Sequence, residues 1–339
     1  MASGDDGVPG AKNFFLHYDF RAPAFGPPAA DLYAAALEQC AWGEGVGFDE
    51  VVISSHHGCD DDYGPAPLVA ATAIAARTRR LRIAPVLALP LYDPIHLAEQ
   101  VAVLDLVAQG RIELVVGAGY RPSEFAMFGG SMAERAERME EAIPALRAAW
   151  RGEPFAFRGR QVLVRPRPAR PGGPPICYAG YSAPAARRAA RLADAFMPMP
   201  GSDAVAIYTA ECRRLGKAPR IERQIAWMFL FASLDPERAW ARLAPHLLHV
   251  ANSYARWMSE AGTTPVYVPV SDVRELKTSG TFRVATPEEC VKLVESVDDV
   301  IVDPLFGGIP PALAEESLEL LADRVLPAFR PAPPAAPAR

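Results

Sequence analysis

The sequence lacks several features that would place the protein in a specialised class. No apolar run approaches the roughly 18 residues of a membrane-spanning helix, and the opening residues Met1–Gly7 are acidic and polar, unlike a signal peptide. Only five cysteines occur in 339 residues, and none forms a Cys-x-x-Cys pair. These absences argue against a membrane protein, a disulfide framework and a zinc knuckle. We therefore expect a cytoplasmic protein with reduced thiols.

An excess of basic residues is also missing. The net charge is −5 and the isoelectric point is near 5.8, so the sequence offers no basic stripe for nucleic acid and no polybasic membrane anchor. Walker A, Gly-x-Ser-x-Gly and His-Glu-x-x-His motifs are absent. We expect neither nucleic acid nor a membrane as partner, and a small molecule as substrate.

Proline, in contrast, is abundant, with 34 residues. Many prolines lie in Ala/Pro/Arg stretches such as Arg165–Pro171 and the tail 330–339. Such a tail cannot bury enough apolar surface to fix one conformation. We expect residues 330–339, and likewise the N-terminal residues 1–11, to be disordered.

Between these segments, short apolar stretches alternate with longer amphipathic ones. Regular alternation of strand and helix, with continuous apolar strands, predicts a parallel sheet covered by helices. Eight units make a barrel, whereas six would make an open doubly wound sheet. We count eight and predict an α/β fold, a (β/α)8 TIM barrel with insertions. The predicted strands are Asn13–Tyr18, Phe48–Ile53, Leu81–Leu87, Ile112–Val116, Ile176–Ala179, Ala195–Met197, Ile225–Phe231 and Val300–Val302.

One strand ends in a glycine-rich turn, Gly117–Ser123, that does not match the dinucleotide-binding fingerprint. The turn lacks the third glycine, is followed by Pro122 rather than by a helix, and lies after the fourth strand instead of the first. Missing side chains would nevertheless let backbone N–H groups approach an anion here. We interpret the turn as part of a barrel mouth.

The loop after the second strand carries the residues best suited to chemistry. His56 and His57 are adjacent, and three aspartates follow at 60–62. Neighbouring side chains on an extended chain point apart, so the two histidines would not share one metal ion, and we predict no metal site. Imidazole titrates near neutral pH, which favours acid–base catalysis. A solvated polar loop and a metal-dependent hydrolase using His56, His57 and Asp60 are the alternatives.

Two further strand ends predict contacts to a flat, phosphate-bearing ligand. Prolines near the end of the third strand, including Pro85, predict a bulge that presses backbone against a ring. The fifth strand ends in Gly180–Pro184, immediately before a helix. Ser182 is predicted as its N-cap, and the helix N-terminus as a phosphate site. Arg187 and Arg188 would add positive charge.

The chain resembles the luciferase-like flavin-dependent monooxygenases, the bacterial luciferase family, over about residues 12–329. The resemblance depends on the order and spacing of several stretches, and it implies one barrel domain over that range. The most specific stretch combines the segment after the third strand with the fourth strand and its glycine-rich turn. The matching stretches are Phe48–His57, Leu89–Asp105, Gly110–Phe125, Ala285–Cys290 and Leu318–Pro327.

The resemblance implies reduced FMN, or a deazaflavin as in some relatives, at the C-terminal mouth of the barrel. A non-proline cis peptide would lie near Pro85 and Val86, under the flavin ring. Two residues depart from the family pattern: Ser55 replaces a glutamate before the histidine pair, and Ala118 replaces an arginine between two glycines. The implied cofactor-binding residues are Pro85, Val86, Gly117, Gly119, Tyr120, Gly180, Tyr181 and Ser182.

The implied activity is oxygenation. Reduced FMN and O2 would form a flavin hydroperoxide that oxygenates an aldehyde, a ketone or a larger ring-bearing metabolite. His56 would be the catalytic residue, oriented by His57 or by the aspartates at 60–62. A separate NAD(P)H:flavin reductase would supply the reduced flavin, and a homodimer would form through the helices after the second and third strands. The alternatives are a deazaflavin-dependent dehydrogenase or reductase that transfers hydride, and a non-catalytic flavin-binding barrel.

Two regions complete the expectations. The segment Gly262–Gly280 has no clear period and is predicted to be a mobile lid. Six aromatic residues are candidates for an apolar pocket, although packing in the core is the favoured role for most of them. These are Tyr18, Phe20, Trp227, Phe229, Tyr254 and Trp257.

Overall fold

The computed structural model describes residues 12–200, 202–262 and 268–330. The segments predicted to be disordered, 1–11 and most of 330–339, lie outside the described residues. Arg330 is described and packs against the sheet. Its Nη2 donates a hydrogen bond to the carbonyl of Lys12 at 2.9 Å, and its guanidinium lies 5.3 Å from the centre of the Phe14 ring. The packed part of the chain therefore reaches residue 330.

Strands and helices alternate through the described residues. The strands are β1 (Asn13–Tyr18), β2 (Glu50–Ile53), β3 (Arg82–Ala88), β4 (Leu114–Gly117), β5 (Phe155–Phe157), β6 (Arg160–Val162), β7 (Ile176–Gly180), β8 (Ala195–Pro198), β9 (Phe229–Ala232), β10 (Phe282–Ala285) and β11 (Asp299–Val302). The helices are α1 (Ala29–Val46), α2 (Pro67–Arg77), α3 (Pro94–Val107), α4 (Pro122–Met127), α5 (Arg135–Trp150), α6 (Ala183–Leu192), α7 (Ala204–Arg214), α8 (Pro236–Glu260), α9 (Val273–Ser279), α10 (Pro287–Glu295) and α11 (Pro311–Leu320).

Seven strands form one parallel sheet in the order β11-β1-β2-β3-β4-β7-β8. Strand β1 pairs with both β2 and β11, so strands from the two ends of the chain lie side by side. The sheet is curled and covered by helices, which confirms the predicted TIM-barrel-like α/β fold. Because all seven strands are parallel, their C-terminal ends meet at one rim.

The predicted strand Ile225–Phe231 does not pair with this sheet. Residues 220–222 lie beside β8 instead: Phe196 N donates to Arg220 O and Glu222 N donates to Phe196 O, both at 2.9 Å. The strand begins only at Phe229, as β9, and pairs in parallel with β10. A short, charged segment such as 220–222 carries no hydrophobic period, so the sequence pattern missed its pairing with β8.

Strand β3 changes its pairing partner at the position where we expected a bulge. Its ladder with β2 ends at Pro85, opposite Ile53, and its continuous ladder with β4 begins at Val86, opposite Val115. Proline is tolerated in a strand where the ladder does not need its missing N–H group. The expected non-proline cis peptide is absent, since within the described residues the only cis bond is Arg165–Pro166. The cis-peptide prediction was wrong, and the bulge stays a prediction.

The segment predicted as an irregular lid, Gly262–Gly280, contains the short helix α9. Asp272 caps this helix, because its carboxylate accepts a hydrogen bond from Arg274 N at 2.8 Å. Gly280 ends it with φ +71°, a left-handed conformation that favours glycine. Leu276 is buried, and α9 packs on α8. This part of the lid prediction was wrong, and residues 263–267 lie outside the described residues.

A buried ion cluster occupies the end of the sheet opposite the rim. Glu50 begins β2 and Glu113 immediately precedes β4. Arg223 Nη2 donates to Glu50 and, at 2.5 Å, to Glu113. Arg223 and Glu50 are fully buried, so each charge requires the other. The cluster fixes the N-terminal ends of the strands and lies away from the rim.

All five cysteines are unpaired thiols. Four of them are buried, and Cys59 is partly exposed. Among the described helices, none has both the length and the apolar character that a bilayer crossing requires.

Candidate active site at the sheet rim

His56 lies at the rim, in the loop after β2, with both ring nitrogens in contact with side chains of the loop after β4. Its Nδ1 lies 2.7 Å from Glu124 Oε1. Its Nε2 lies 3.3 Å from the hydroxyl of Tyr120. The His56 side chain is 12% exposed, so the imidazole is held in place while part of its surface can still be reached.

Glu124 is the centre of this arrangement, and sequence reasoning missed it. One carboxylate oxygen accepts hydrogen bonds from His56, from the backbone N–H of His57 at 2.8 Å and from Arg121 Nη1 at 3.3 Å. Glu124 lies in the first turn of α4, which begins at Pro122. We took Pro122 to exclude a helix, yet proline is favoured at the first helical position. A correctly predicted α4 would have placed this carboxylate at the rim.

The protonation states follow from burial and these contacts. Burial lowers the pKa of His56, and this effect exceeds the opposing influence of Glu124. Burial alone would raise the pKa of Glu124, but the hydrogen bond to His56 and the nearby positive charge of Arg121 lower it. A neutral imidazole therefore donates Nδ1–H to an ionised carboxylate. The lone pair on Nε2 then accepts a hydrogen bond from Tyr120 or a proton from a substrate.

His57 points away from His56, as the alternation of side chains predicted. Its ring packs edge-on against Phe128, with centroids 4.8 Å apart. Its Nε2 is buried and has no hydrogen-bond partner within the described residues. Among those residues no group of three or more His, Cys, Asp or Glu side chains could hold a metal ion. The two histidines therefore have different surroundings and cannot perform the same task.

The aspartates at 60–62 do not orient His56. Asp61 instead accepts hydrogen bonds from Arg21 Nη1 at 2.6 Å and from His249 Nε2 at 2.7 Å. These contacts hold the pKa of Asp61 far below its usual range, although burial alone would raise it. The carboxylate is therefore committed to Arg21 and His249, and the expectation that this cluster orients His56 was wrong.

Two buried arginines flank one tryptophan beside His56. The guanidinium of Arg121 lies 4.1 Å from the centre of the Trp257 ring, and that of Arg21 lies 4.7 Å from it. Arg21 also lies over the rings of Tyr63 and Tyr254, at 4.5 and 4.9 Å. Stacking on aromatic faces stabilises guanidinium groups that are removed from water.

Two of the six candidate aromatic residues belong to this site. The rings of Tyr254 and Trp257 lie 6.2 and 5.1 Å from the His56 ring. They lie three residues apart on α8, which brings both to one helix face. The other four are buried in the core, as favoured for most of the set: Tyr18, Phe20, Trp227 and Phe229.

The loops after β4 and β7 form a glycine-lined cradle. Gly119 has φ +72°, and a Cβ atom there would lie 3.0 Å from the Phe125 ring. A Cβ atom on Gly180 would lie 2.8 Å from Ala185 Cβ. A side chain at either position would have to displace its neighbour, so both positions favour glycine. Such a cradle fits the phosphate of a flavin, which backbone N–H groups can bind.

Helix α6 begins at this cradle. Ser182 Oγ accepts a hydrogen bond from Ala185 N at 3.3 Å, which confirms Ser182 as the N-cap. Arg188 is engaged by Glu140 at 3.0 Å and by the hydroxyl of Tyr178 at 3.4 Å. Arg187 is exposed and lies near enough to Glu211 on α7 for its charge to act on that carboxylate.

The remaining predicted cofactor-binding residues lie on the same rim. Pro85 and Val86 lie in β3, and the carbonyl of Val86 accepts a hydrogen bond from Ser55 Oγ at 2.8 Å. The hydroxyl at position 55 therefore binds backbone, and the acid that contacts His56 is Glu124 on the neighbouring loop. Gly117 ends β4, and Tyr181 is partly exposed beside the cradle.

Comparison with known proteins gives matches over much of the chain. The chain is 26% identical over 322 residues to the 4-hydroxyprotoasukamycin monooxygenase of Streptomyces nodosus subsp. asukaensis, covering 86% of both proteins. It is 35% identical over 208 residues to an F420-dependent glucose-6-phosphate dehydrogenase of Nakamurella multipartita, covering 57% of this chain and 58% of that one. Against this and other curated relatives the match spans about half of the relative's length.

A solved structure with the same fold is the oxygenating component of 3,6-diketocamphane monooxygenase, from a Pseudomonas putida plasmid, in complex with FMN. Its TM-score is 0.72 at 20% identity, covering 94% of this chain and 98% of that one. The family profile described as luciferase-like monooxygenase matches residues 14–303, which include the rim loops and both ends of the sheet. The chain therefore belongs to the luciferase-like monooxygenase family.

Proposed function

We propose that the protein is an FMN-dependent monooxygenase that uses reduced FMN and O2 to oxygenate a small organic substrate. The observation that carries the proposal is the buried His56–Glu124 pair at the rim, with a neutral imidazole beside a glycine-lined cradle. The monooxygenase of Streptomyces nodosus, matched over 86% of both chains, and the FMN complex of similar fold support this choice over others.

The cradle residues would hold the cofactor. Backbone N–H groups at Gly119 and at the start of α6 would bind the phosphate, with Ser182 and Arg187 adding a hydroxyl and a positive charge. Pro85 and Val86 of β3 would lie against the ring. When bound, reduced FMN supplies the electrons that activate O2.

The chain's own residues would supply proton transfer and exclusion of water. His56 Nε2 would accept a proton from the substrate, while Glu124 stabilises the imidazolium that forms. Tyr120 would hold the imidazole when no substrate is present, since its hydroxyl is the group that now contacts Nε2. Tyr254 and Trp257 would cover this side of the rim and keep it dry.

A deazaflavin-dependent dehydrogenase is the second candidate. The observation in its favour is the 35% identity to an F420-dependent dehydrogenase over 208 residues. The same pair would serve that reaction, because a neutral His56 can take the proton of an alcohol as its carbon loses hydride. The monooxygenase would require a separate NAD(P)H:flavin reductase as partner, whereas the dehydrogenase would not.

The two candidates are separated by cofactor binding and by oxygen dependence. Binding of FMN and F420 is measured in both oxidation states of each cofactor. Quenching of cofactor fluorescence reports binding of the oxidised forms, and quenching of protein fluorescence reports binding of the reduced forms. We expect binding of reduced FMN, and oxygenation of a test aldehyde or ketone that requires O2. Gly180→Val, whose side chain would collide with Ala185 and displace the start of α6, should weaken this binding. Preference for F420 with anaerobic oxidation of an alcohol would establish the second candidate, and binding of neither would refute both.

Replacement of His56 should remove the base. We expect His56→Ala to lower single-turnover oxygenation with prereduced FMN by roughly 10²–10⁴-fold, the range for a general acid–base group. FMN affinity should change little, because the cradle lies on other loops. His57→Ala is the matched control: it should lose less activity, since its ring packs on Phe128 and not toward the reaction. Equal rates for His56→Ala and wild type would end the assignment.

Replacement of Glu124 should change the pH dependence. Glu124 raises the pKa of His56, so Glu124→Gln should lower that pKa further. The acid limb of the pH–rate profile, where His56 becomes protonated, should then move to lower pH. The plateau rate should fall by about 10- to 100-fold, as for other groups that orient an imidazole. Glu124→Asp keeps the charge and should leave the limb in place; an unmoved limb in Glu124→Gln would contradict the pairing.

We also propose a homodimer through α2 and α3. Exposed apolar side chains occur on both helices, with Val69 of α2 at 71% and Val103 of α3 at 48% exposure, and Val69 lines a groove of about 400 Å³. Val69→Asp combined with Val103→Glu should convert a dimer to a monomer in light scattering. Leu234→Asp, at an apolar side chain 66% exposed elsewhere, is the control and should leave the mass unchanged. A monomeric wild type at micromolar concentration would contradict the proposal.

A further inference from the structure

A second group of polar side chains, separate from His56 and Glu124, lies at the same rim. His17 is near the end of β1, and its Nδ1 lies 2.5 Å from Asp303 Oδ2, just after β11. Its Nε2 lies 2.7 Å from Ser54 Oγ, just after β2. Strands β11, β1 and β2 are neighbours in the sheet, so the three side chains form a continuous hydrogen-bonded row across it.

The row runs from the interior to the rim. Asp303 is 1% exposed and His17 is 7% exposed, whereas Ser54 is partly exposed. Asp303 Oδ1 is buried and has no hydrogen-bond partner within the described residues. A buried pair of this kind is costly compared with apolar residues of the same volume. Packing alone therefore does not explain why a buried Asp–His pair lies at the rim, the end of the barrel that also carries His56.

We propose that Asp303, His17 and Ser54 form a second proton-transfer path, with Ser54 as the group that meets the bound substrate and His17 and Asp303 as its buried proton store. This inference rests on the proposed function and deepens it by assigning a proton donor. His56 takes a proton on one side of the reaction, and Ser54 delivers a proton to an oxygen atom that gains negative charge.

The transfer is balanced. Before the transfer, His17 is an imidazolium that carries a proton on each ring nitrogen. Its Nδ1–H donates a hydrogen bond to Asp303, and its Nε2–H donates one to Ser54. The Ser54 hydroxyl gives its proton to the anionic oxygen and receives the Nε2 proton of His17. One O–H bond forms on the acceptor, one N–H bond breaks, and no electrons are exchanged. The imidazole becomes neutral, keeps its bond to Asp303, and is reloaded with a proton from solvent.

The surroundings raise the pKa of both members of the buried pair, His17 and Asp303. Burial raises the pKa of Asp303 to about 7, against the lowering influence of His17. Burial alone would lower the pKa of His17, but Asp303 raises it. Asp19 and Arg21 are the other charged groups that face the pair: Asp19 raises both pKa values and Arg21 lowers both. These two influences oppose each other because Asp19 and Arg21 carry opposite charges, and the two groups form an ion pair with Arg21 Nε 3.2 Å from Asp19 Oδ2.

The first measurement uses Ser54, whose partial exposure makes substitution compatible with folding. Ser54→Ala should lower single-turnover rates by about 10²-fold, the lower end for a general acid–base group. Binding of reduced FMN should be unchanged. Ser54→Thr keeps a hydroxyl and should restore most of the rate. Full activity in Ser54→Ala, or no rescue by threonine, would overturn the assignment of Ser54.

The second measurement is the pH profile. A donor must be protonated, so activity should fall as the pH rises through the His17 pKa. His17→Gln, which cannot titrate, should remove this alkaline limb and lower the plateau, whereas the acid limb that belongs to His56 stays. Glu113→Gln alters the buried cluster at the opposite end of the sheet and should leave both limbs in place. An alkaline limb that persists in His17→Gln would show that the row is only structural.

A third measurement does not require activity. The ring nitrogens of His17 are followed by NMR against pH in the cofactor-free protein, with His17→Gln used for assignment. Asp303→Asn should lower the His17 pKa, because the negative charge that raises it is lost. An unchanged His17 pKa would overturn the store. If the wild type binds no flavin, the proposed function fails, while this titration still decides whether His17 and Asp303 share a proton.

Discussion

The Glu124 carboxylate is the contact on which the rim depends. A single oxygen atom accepts from the His56 ring, the His57 backbone and Arg121, and so joins the loop after β2 to the loop after β4. The same contact fixes which nitrogen of His56 carries its proton. Because the carboxylate is almost fully buried, losing these donors would leave an unpaired charge away from water. The free-energy cost of that unpaired charge keeps the two loops together.

Around this contact, each buried acidic side chain of the rim pairs with a basic partner. Arg21 neutralises Asp19 and Asp61, and His17 takes Asp303. Consequently, the pKa values of two imidazoles at one rim shift in opposite directions: burial lowers the pKa of His56, whereas at His17 Asp303 and Asp19 together outweigh burial and raise it. Opposite shifts of this kind are what a base and an acid that work at the same pH require.

Much of the fold could be predicted because the signals were local. The predicted strand Asn13–Tyr18 has the same bounds as β1, because its run of apolar residues is local. The pairing of 220–222 with β8 could not be predicted, since it depends on backbone contacts made in three dimensions. At the site, His56 and the N-cap Ser182 follow strands of clear pattern. Glu124 was missed because its short helix depends on a proline that we interpreted as a break.

The position of Trp257 beside two guanidinium groups has an optical consequence. Indole emission depends on the electric field along the ring, and here two fixed positive charges lie within 5 Å of it. Any event that moves Arg121 with its loop, or changes the charge of the adjoining acids, alters that field. The chain has five tryptophans, and Trp257 is the one that contacts His56, so it gives the rim an intrinsic fluorescent reporter.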